Sequence, residues 1–217
     1  IALNHTAQRQ AFGKPLIVQP LMRNVLTDLA LESEAACVLA MRLARSFDHP
    51  NDAHERAMGR LLTPTAKFWI CKRGAPFAQE AMECLGGNGV MDDFMMARLY
   101  RDAPINAIWE GSGNVQALDL LRAIGKTPHA IQAWFAELSL TQGQHPLLDR
   151  AVIQLKNMLS DRDDLPYRAR SIVEHMALTL QASLLIQAGN AVVSDAFIAS
   201  SFYSRFNAIP ISCGFSG

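Results

Sequence analysis

The segment Ile108-Trp-Glu-Gly-Ser-Gly-Asn-Val-Gln116 places one carboxylate between two bulky apolar residues and a glycine-rich turn. Ile108 and Trp109 are able to shield Glu110 partly from water. Desolvation disfavours the charged form of a carboxyl group and raises its pKa, which brings the group closer to the strength of a useful general base. Glu110 is therefore the candidate catalytic residue.

The glycines of this segment indicate a backbone that a ligand can approach closely. Gly111 and Gly113 allow main-chain angles that other residues avoid. Residues 114–124 predict an amphipathic helix, and the free N–H groups at its start suit an anionic ligand such as a pyrophosphate. Its apolar positions are Val115, Leu118, Leu121 and Ala123. The same residues are also typical of an ordinary helix start with Ser112 or Asn114 as the N-cap. This segment alone therefore leaves both a ligand site and a simple helix start open.

Three more segments precede it in a fixed order: Ala7-Gln-Arg-Gln-Ala-Phe-Gly-Lys-Pro-Leu16, Glu83-Cys-Leu-Gly-Gly-Asn-Gly89 and Arg98-Leu-Tyr-Arg-Asp102. Together with the Glu110 segment they resemble the C-terminal part of the acyl-CoA dehydrogenase family, over about residues 1–124. The sequence of residues 99–114 is most similar to the alkylation-response (AidB-like) branch of that family. The additional chain after residue 126 is similar to that branch as well.

The resemblance implies an FAD-dependent oxidoreductase acting on acyl-CoA thioesters. In the family a carboxylate, here Glu110, takes the α-proton of the thioester while a hydride leaves the β-carbon for the flavin N5. The cofactor contacts that the resemblance implies are Arg9, Phe12, Gln19, Gly86, Gly87, Ser112 and Asn114. A planar guanidinium suits a pyrophosphate, because it can donate two parallel hydrogen bonds. Three glycines within residues 86–89 also exceed what a helix end needs.

The resemblance implies a flavin site shared between subunits of a homo-oligomer, either a dimer or a tetramer. The flavin ring would lie largely on a β-domain that this sequence does not contain. The chain starts at Ile1 rather than Met, and we expect it to be a fragment. We expect the intact protein to bind FAD, and the fragment alone to bind it weakly and to be inactive.

Two charged residues near these segments keep open roles. Many family members have Gln where Glu83 stands; a carboxylate there would repel a phosphate but could accept from a ribose hydroxyl. Arg122 follows Glu110 by three helical turns, so a surface arginine is the simpler interpretation and a place at the pocket mouth is the alternative.

Hydrophobic periodicity predicts long helices and no strand. Residues 17–47 predict one helix, with a stripe at Leu21, Val25, Leu29, Ala36, Leu39, Leu43 and Phe47. A second helix opens at Asp52 or Ala53 and reaches about residue 85, and its stripe is Leu61, Phe68, Ala75 and Met82. Pro64 lies inside it, so either the helix is kinked there or the helix proper begins there after a short helix or turn; we favour the second, with Thr63 as the N-cap. Residues 92–100 predict a short helix capped by Asp92 or Asp93, and Pro104 predicts an extended entry into the Glu110 segment.

Gly125-Lys-Thr-Pro128 marks the best candidate domain boundary. Beyond it we expect helices at residues 128–140 and 146–160 and a last, largely buried helix from after residue 166 to about 199. The predicted fold is all-α: an acyl-CoA dehydrogenase C-terminal-type four-helix bundle (1–125) followed by a second smaller helical bundle (126–200). Residues 201–217 show no periodicity and predict a poorly ordered tail.

Composition limits the class of protein. The 217 residues carry 20 basic and 20 acidic side chains, and half are apolar, which indicates a soluble globular protein without a polyanion-binding surface over the whole molecule. The four cysteines show no paired spacing, which favours buried or free thiols in a reducing cytoplasm. The histidines show no ligand spacing, so we expect no metal site. Residues 176–194 lack charge, but their interspersed polar side chains argue against a membrane span.

Two other functions stay open. The AidB-like branch includes flavoproteins that bind DNA through the C-terminal helices, and such a protein need not turn over acyl-CoA. In this region the basic residues are Arg150, Lys156, Arg162, Arg168 and Arg170, and the acidic ones are Asp149, Asp161, Asp163, Asp164 and Glu174. Their charges nearly cancel, so the electrostatic attraction that non-specific DNA binding needs is weak. The other alternative is a helical oligomerisation module that completes a neighbouring subunit's site.

Overall fold

The computed structural model describes residues 1–207, with side chains for residues 1–202. Its helices are α1 Ala2–Gln8, α2 Pro20–Asp48, α3 Ala53–Glu83, α4 Met95–Asp102, α5 Gly113–Lys126, α6 Pro128–Ser139, α7 Pro146–Ser160, α8 Leu165–Gln187 and α9 Ala191–Asn207. The prediction of an all-α fold is confirmed. One small antiparallel hairpin, β1 Gln10–Ala11 with β2 Lys14–Pro15, was not predicted, because two-residue strands are too short to show alternation.

Helix α3 is the central element, packing against α2, α5, α6 and α8. It starts at the Asp52 cap, whose carboxylate accepts from the backbone N–H groups of His54 and Glu55 at 2.7 and 3.1 Å. Those backbone bonds lower the pKa of Asp52. The predicted start at Thr63 is wrong, since α3 runs unbroken through Pro64. Proline costs a helix one hydrogen bond, and the burial of Pro64 between neighbouring helices offsets that loss.

The core is continuous across the predicted domain boundary. One cluster of buried side chains joins Leu39 and Leu61 of the first part to Trp134, Leu155 and Ile172 of the second. Helix α8 contributes most of its length to this core, which confirms the prediction of a central buried helix. The division at residue 126 stays a prediction, because a shared core does not show whether the two parts fold separately.

The C-terminal helix differs from its prediction. Instead of one helix to residue 199, α8 ends at Gln187 and Gly189 adopts a left-handed φ of 83°, after which α9 continues to Asn207. Residues 201–207 are therefore helical rather than part of a loose tail, and Phe202 is fully buried. The rest of the predicted tail, 208–217, lies outside the described residues.

The stripe predicted for α2 is buried only at its centre. Leu39 is fully buried, whereas Leu21 is 80% exposed and Phe47 is 65% exposed. The buried face also includes Arg42, which is not one of the predicted stripe positions. The spacing of residues along α2 could not reveal that Glu137 of α6, distant in sequence, reaches Arg42.

Arg42 lies between two carboxylates on different helices. Its guanidinium donates to Glu55 of α3 at 2.7 and 3.3 Å and to Glu137 of α6 at 2.8 and 3.1 Å. Burial alone raises the pKa of Glu137, but the hydrogen bonds and charge of Arg42, with His54 nearby, outweigh it and hold that pKa below its ordinary value. Arg45 makes a further ion pair with Glu55 at 3.2 Å. This group of charges fixes α6 against the bundle.

The segment between α3 and α5 also departs from expectation. Helix α4 starts after Phe94, and neither predicted aspartate caps it. Asp92 instead pairs with Arg101 at 2.8 Å. The predicted extended entry at Pro104 is wrong, because Ala103–Ala107 forms a 3₁₀ helix. No helix among the described residues is both long and apolar enough to cross a bilayer.

Candidate functional site

Glu110 lies in a tight turn between the 3₁₀ helix and α5. Its φ of 60° is left-handed, which is uncommon for any residue other than glycine, and Gly111 follows at φ 99°. The Glu110 side chain is exposed and forms no hydrogen bond or ion pair with the described residues. The turn therefore presents a free carboxylate at the surface of this chain.

The burial predicted for Glu110 is not supplied by its neighbours. Ile108 is 61% exposed and Trp109 is 56% exposed, so both apolar side chains face outward beside the carboxylate. Any desolvation of Glu110 would have to come from another surface that covers all three residues. Its role as a general base stays a prediction.

Two side chains from neighbouring helices hold this turn in place. Gln116, in the first turn of α5, donates through Nε2 to the carbonyl oxygens of Glu110 at 2.9 Å and Gly111 at 3.3 Å. Lys67 of α3 donates to the carbonyl of Asn106 at 2.6 Å, just upstream. Sequence reasoning missed both residues, because neither bond follows from spacing along the chain.

The start of α5 leaves polar groups available. Ser112 is the N-cap but makes no side-chain capping bond, and Asn114 makes no side-chain hydrogen bond within the described residues. Both are exposed. The first N–H groups of this helix, with the two side chains, can donate to an anionic or polar ligand. The predicted apolar face is partly wrong, since Val115 and Leu118 are about half exposed and Ala117 and Leu120 are buried instead.

The glycine corner after α3 is open to a close approach. Gly86 has a left-handed φ of 58°, and side-chain atoms placed on Gly86 or Gly87 would meet nothing within 4 Å. Gly89 is different, because a side chain there would strike the Met82 carbonyl oxygen. The third glycine is thus required by packing, whereas the first two leave the backbone free for a ligand.

The hairpin after α1 carries the remaining predicted contacts. Arg9 is exposed, and its guanidinium is unpaired among the described residues. Phe12 stands at the hairpin turn with φ 54° and is 96% exposed. Gln19 is partly used within the hairpin, since its Nε2 donates to the Ala11 carbonyl at 3.0 Å.

The structure arranges the predicted residues in two groups. Helix α1, which leads into the hairpin, and the residues before the glycine corner share one apolar cluster, which joins Ala2 of α1, Leu85 beyond α3 and Met96 of α4. The Glu110 turn lies elsewhere: Gly113 is next to Phe68, near the middle of α3. At 1.5 Å of rise per residue, the end of α3 is about 20 Å from that point. One copy of this chain therefore does not bring the glycine corner to Glu110.

The two residues with open roles lie at the surface. Glu83 accepts from Gln79 at 3.2 Å. Arg122 is 65% exposed and lies 3.6 Å from Asp119. The largest cause of the lowered pKa of Asp119 is its hydrogen bond with Arg60. These contacts favour the simpler interpretation of Arg122 as a surface arginine.

Residues 1–202 contain no group of three or more metal-ligating side chains. Cys37, Cys71 and Cys84 are free, and Cys213 lies outside the described residues. Burial raises the pKa of Cys84, with the charges of Glu80 and Glu83 adding to the effect, so this thiol resists ionisation.

Comparison with known proteins agrees with these features. Residues 1–125 match the family model described as acyl-CoA dehydrogenase, C-terminal domain. The chain is 48% identical over 159 residues to the putative acyl-CoA dehydrogenase AidB of Escherichia coli, covering 73% of this chain and 29% of that protein. It is 28% identical over 199 residues to acyl-CoA dehydrogenase family member 11 of Caenorhabditis elegans, covering 83% and 32%. The chain spans about a third or less of the length of these relatives.

Solved structures extend the similarity beyond residue 125. The Caenorhabditis elegans ACDH-11 structure, a complex with C11-CoA, superposes with a TM-score of 0.80 at 26% identity, covering 96% of this chain and 39% of that one. An acyl-CoA dehydrogenase from Bacillus anthracis, complexed with FAD, shares the fold with a TM-score of 0.69 at 19% identity, covering 93% and 43%. The added C-terminal helices are thus part of an arrangement that solved proteins also have.

Proposed function

Because this chain belongs to the acyl-CoA dehydrogenase family, we propose that it is the C-terminal helical part of an FAD-dependent oxidoreductase acting on acyl-CoA thioesters. The observation that carries the proposal is the Glu110 turn, where an unpaired carboxylate stands in a constrained backbone beside two exposed apolar side chains. The C11-CoA complex of the similar ACDH-11 structure supports an acyl thioester as the ligand class.

The residues of this chain fit part of an FAD site. Arg9 offers an unpaired guanidinium and Gly86 and Gly87 offer an unobstructed backbone, which suit the pyrophosphate and the sugar next to it. Phe12 offers an exposed ring, and Ser112 and Asn114 offer donors at a helix start. Bound FAD would supply the acceptor for a hydride.

Glu110 would act as the base in this chemistry. Its carboxylate would take the proton from the α-carbon of the thioester and become a carboxylic acid. With bound FAD as the hydride acceptor for the β-carbon, the thioester would gain a carbon–carbon double bond. Cover over Ile108 and Trp109 would desolvate the carboxylate and favour proton transfer to it.

The separation of the two groups of residues supports a shared site. The end of α3, where the glycine corner begins, lies about 20 Å along the helix from Phe68, which is next to Gly113 at the Glu110 turn. We infer that the two groups would face different cofactors in an assembly of two or more copies. The exposed apolar side chains around the Glu110 turn also support contact with another subunit. Of 21 large apolar side chains exposed among the described residues, ten lie between residues 90 and 118. Where exposed apolar side chains of this kind form one patch, a partner surface commonly covers it.

The test uses the full-length protein with a panel of acyl-CoA thioesters that includes C11-CoA. Glu110→Gln is expected to retain FAD and thioester binding and to lose turnover, because an amide cannot accept the α-proton. Glu34→Gln, an exposed substitution on α2, is the matched control and should leave turnover unchanged. Full turnover by Glu110→Gln would exclude Glu110 as the base.

A further inference from the structure

The side chain of Gln116 spans the turn that carries Glu110. Its amide nitrogen bonds two successive carbonyl oxygens, those of Glu110 at 2.9 Å and Gly111 at 3.3 Å. Because a carbonyl moves when its peptide plane rotates, these two bonds oppose rotation of the peptides on both sides of Gly111. The direction of the Glu110 side chain depends on the same backbone angles.

The turn needs such support. Glu110 has a left-handed φ, a conformation that is unfavourable for residues with a side chain. Strained backbone of this kind persists where surrounding contacts hold it in place. Within the described residues, the side-chain bonds that Glu110 and Gly111 receive through their backbones both come from Gln116.

Gly111 makes the close approach of the amide possible. A side-chain atom on Gly111 would lie 2.8 Å from Gln116 Nε2 and 3.3 Å from Val115 Cγ1. Glycine is therefore favoured at position 111 for two reasons. It adopts a φ of 99°, and its lack of a side chain leaves room for the Gln116 amide. The turn and the first turn of α5 are matched to each other.

We propose that Gln116 is a positioning residue that fixes the direction of the Glu110 carboxylate. This inference rests on the proposed function of Glu110 as the base. Lys67 secures the upstream side of the turn through the Asn106 carbonyl, so the segment is held on both sides while its acidic side chain stays free. A base held in this direction can reach the α-carbon without the entropy cost of first ordering a loop.

The test compares three variants in the full-length protein with its cofactor bound. Gln116→Met keeps the length of the side chain but removes the donor, Gln116→Lys restores a donor, and Gln132→Met changes an exposed glutamine on α6. The probe is C11-CoA, or the thioester of the panel with the highest turnover. The readouts are kcat, KM and the primary isotope effect with an α-deuterated thioester.

Gln116→Met is expected to lower kcat by about 10- to 100-fold, the loss that a small misplacement of a catalytic group can cause. KM and cofactor content should stay near those of the parent protein. The isotope effect should rise, because proton abstraction becomes the slower step, and a general loss of folding would not raise it. Gln116→Lys should recover most of the lost rate, and Gln132→Met should match the parent.

Hydrogen exchange of the turn gives a readout independent of turnover. Amides in residues 109–113 should exchange at least several-fold faster in Gln116→Met than in Gln132→Met. Unchanged exchange, or unchanged kcat and isotope effect in a folded Gln116→Met protein, would overturn the inference while leaving Glu110 as the base. If Glu110→Gln keeps full turnover, the proposed function fails by itself, and the exchange result still decides whether Gln116 holds the turn.

Discussion

Replacing Arg42 with methionine tests whether the charges buried between α2, α3 and α6 are as tightly balanced as their geometry indicates. The side chain of Arg42 is 4% exposed and those of Glu55 and Glu137 are 5% and 9% exposed. Arg42→Met removes the cation but keeps much of the volume. Glu55 keeps Arg45 as a partner at 3.2 Å, whereas Glu137 keeps the longer contact with His54 Nε2 at 3.7 Å, so Glu137 is the carboxylate left with the least compensation.

The magnitude follows from the cheapest way to remove an unpaired buried charge, which is to protonate it. With an unfolded-state pKa of about 4.3, protonating one glutamate costs about 1.36 kcal/mol per pH unit, or about 3.7 kcal/mol at pH 7 and about 1 kcal/mol at pH 5. Removing one partner of a buried ion pair typically costs about 3–5 kcal/mol, in agreement with the value at pH 7. We therefore expect Arg42→Met to lower the free energy of unfolding by about 3–4 kcal/mol at pH 7 and by clearly less at pH 5.

The sign of this pH dependence comes from linkage. In the parent protein the pKa of Glu137 is lowered, so its contribution to stability is present above the unfolded-state pKa and is lost as the pH falls through the folded-state pKa. In Arg42→Met we expect burial to dominate and the folded-state pKa of Glu137 to rise. The free energy of unfolding of the variant then falls as the pH rises. The difference in this free energy between variant and parent therefore widens from pH 5 to pH 7.

The assay is urea unfolding followed by circular dichroism at both pH values. Arg60→Met is the matched control, because Arg60 makes a similar two-bond contact with Asp119 at 2.7 and 3.0 Å but is 38% exposed. It should cost at most about 1 kcal/mol. Equal losses for the two arginines, or a penalty for Arg42→Met that does not change with pH, would refute this account of the buried charges.

Four further outcomes are expected. Gly89→Ala should lower the free energy of unfolding by about 1–3 kcal/mol, because its new methyl group meets the Met82 carbonyl, whereas Gly87→Ala should stay within about 0.5 kcal/mol; urea unfolding that shows equal losses would contradict this. Trp134 buries its Nε1 without a hydrogen-bond partner among the described residues. Trp134→Phe should therefore change the free energy of unfolding by about 1 kcal/mol or less, whereas Trp134→Ala should lower it by about 3–5 kcal/mol. A large loss in the phenylalanine variant would imply that Nε1 does have a hydrogen-bond partner. A DNA titration of this chain at low and high salt should show no strong salt-dependent binding, as its formal net charge is zero, and a steep salt dependence would favour the DNA-binding alternative. FAD titrated into this chain alone should bind weakly, with a stoichiometric yellow complex as the contrary result.

Local patterns predicted the elements of this protein better than their ends. Helices α6 and α7 start and end within a residue or two of their predicted bounds, because proline opens each of them and the breaks between them are polar. The breaks at Thr63 and Gly189 were misjudged for opposite reasons. Packing on several sides kept α3 helical through Pro64, and a glycine within a largely uncharged stretch divided what periodicity read as one helix.

The candidate site was predictable where its chemistry lies in adjacent residues. The Glu110 turn, the glycine corner and the segment that carries Arg9 and Phe12 each have a local sequence signature. Their exposure and mutual distance were not predictable, since both depend on how α3 places them. Gln116 and Lys67 were missed because a polar residue on a helix gives no sign of the carbonyl it will meet.

Residue order alone was enough to establish the helical periodicity, the family resemblance and the order of the three segments before Glu110. These properties are local or additive along the chain, so they can be recognised without knowledge of the fold. The three-dimensional packing was needed to show that Arg42 is buried between two carboxylates, that the core continues past residue 126 and that Glu110 stands free in a left-handed turn. Each of these results depends on side chains distant in sequence occupying the same space, and the energy of such contacts is set by packing and desolvation rather than by local preference.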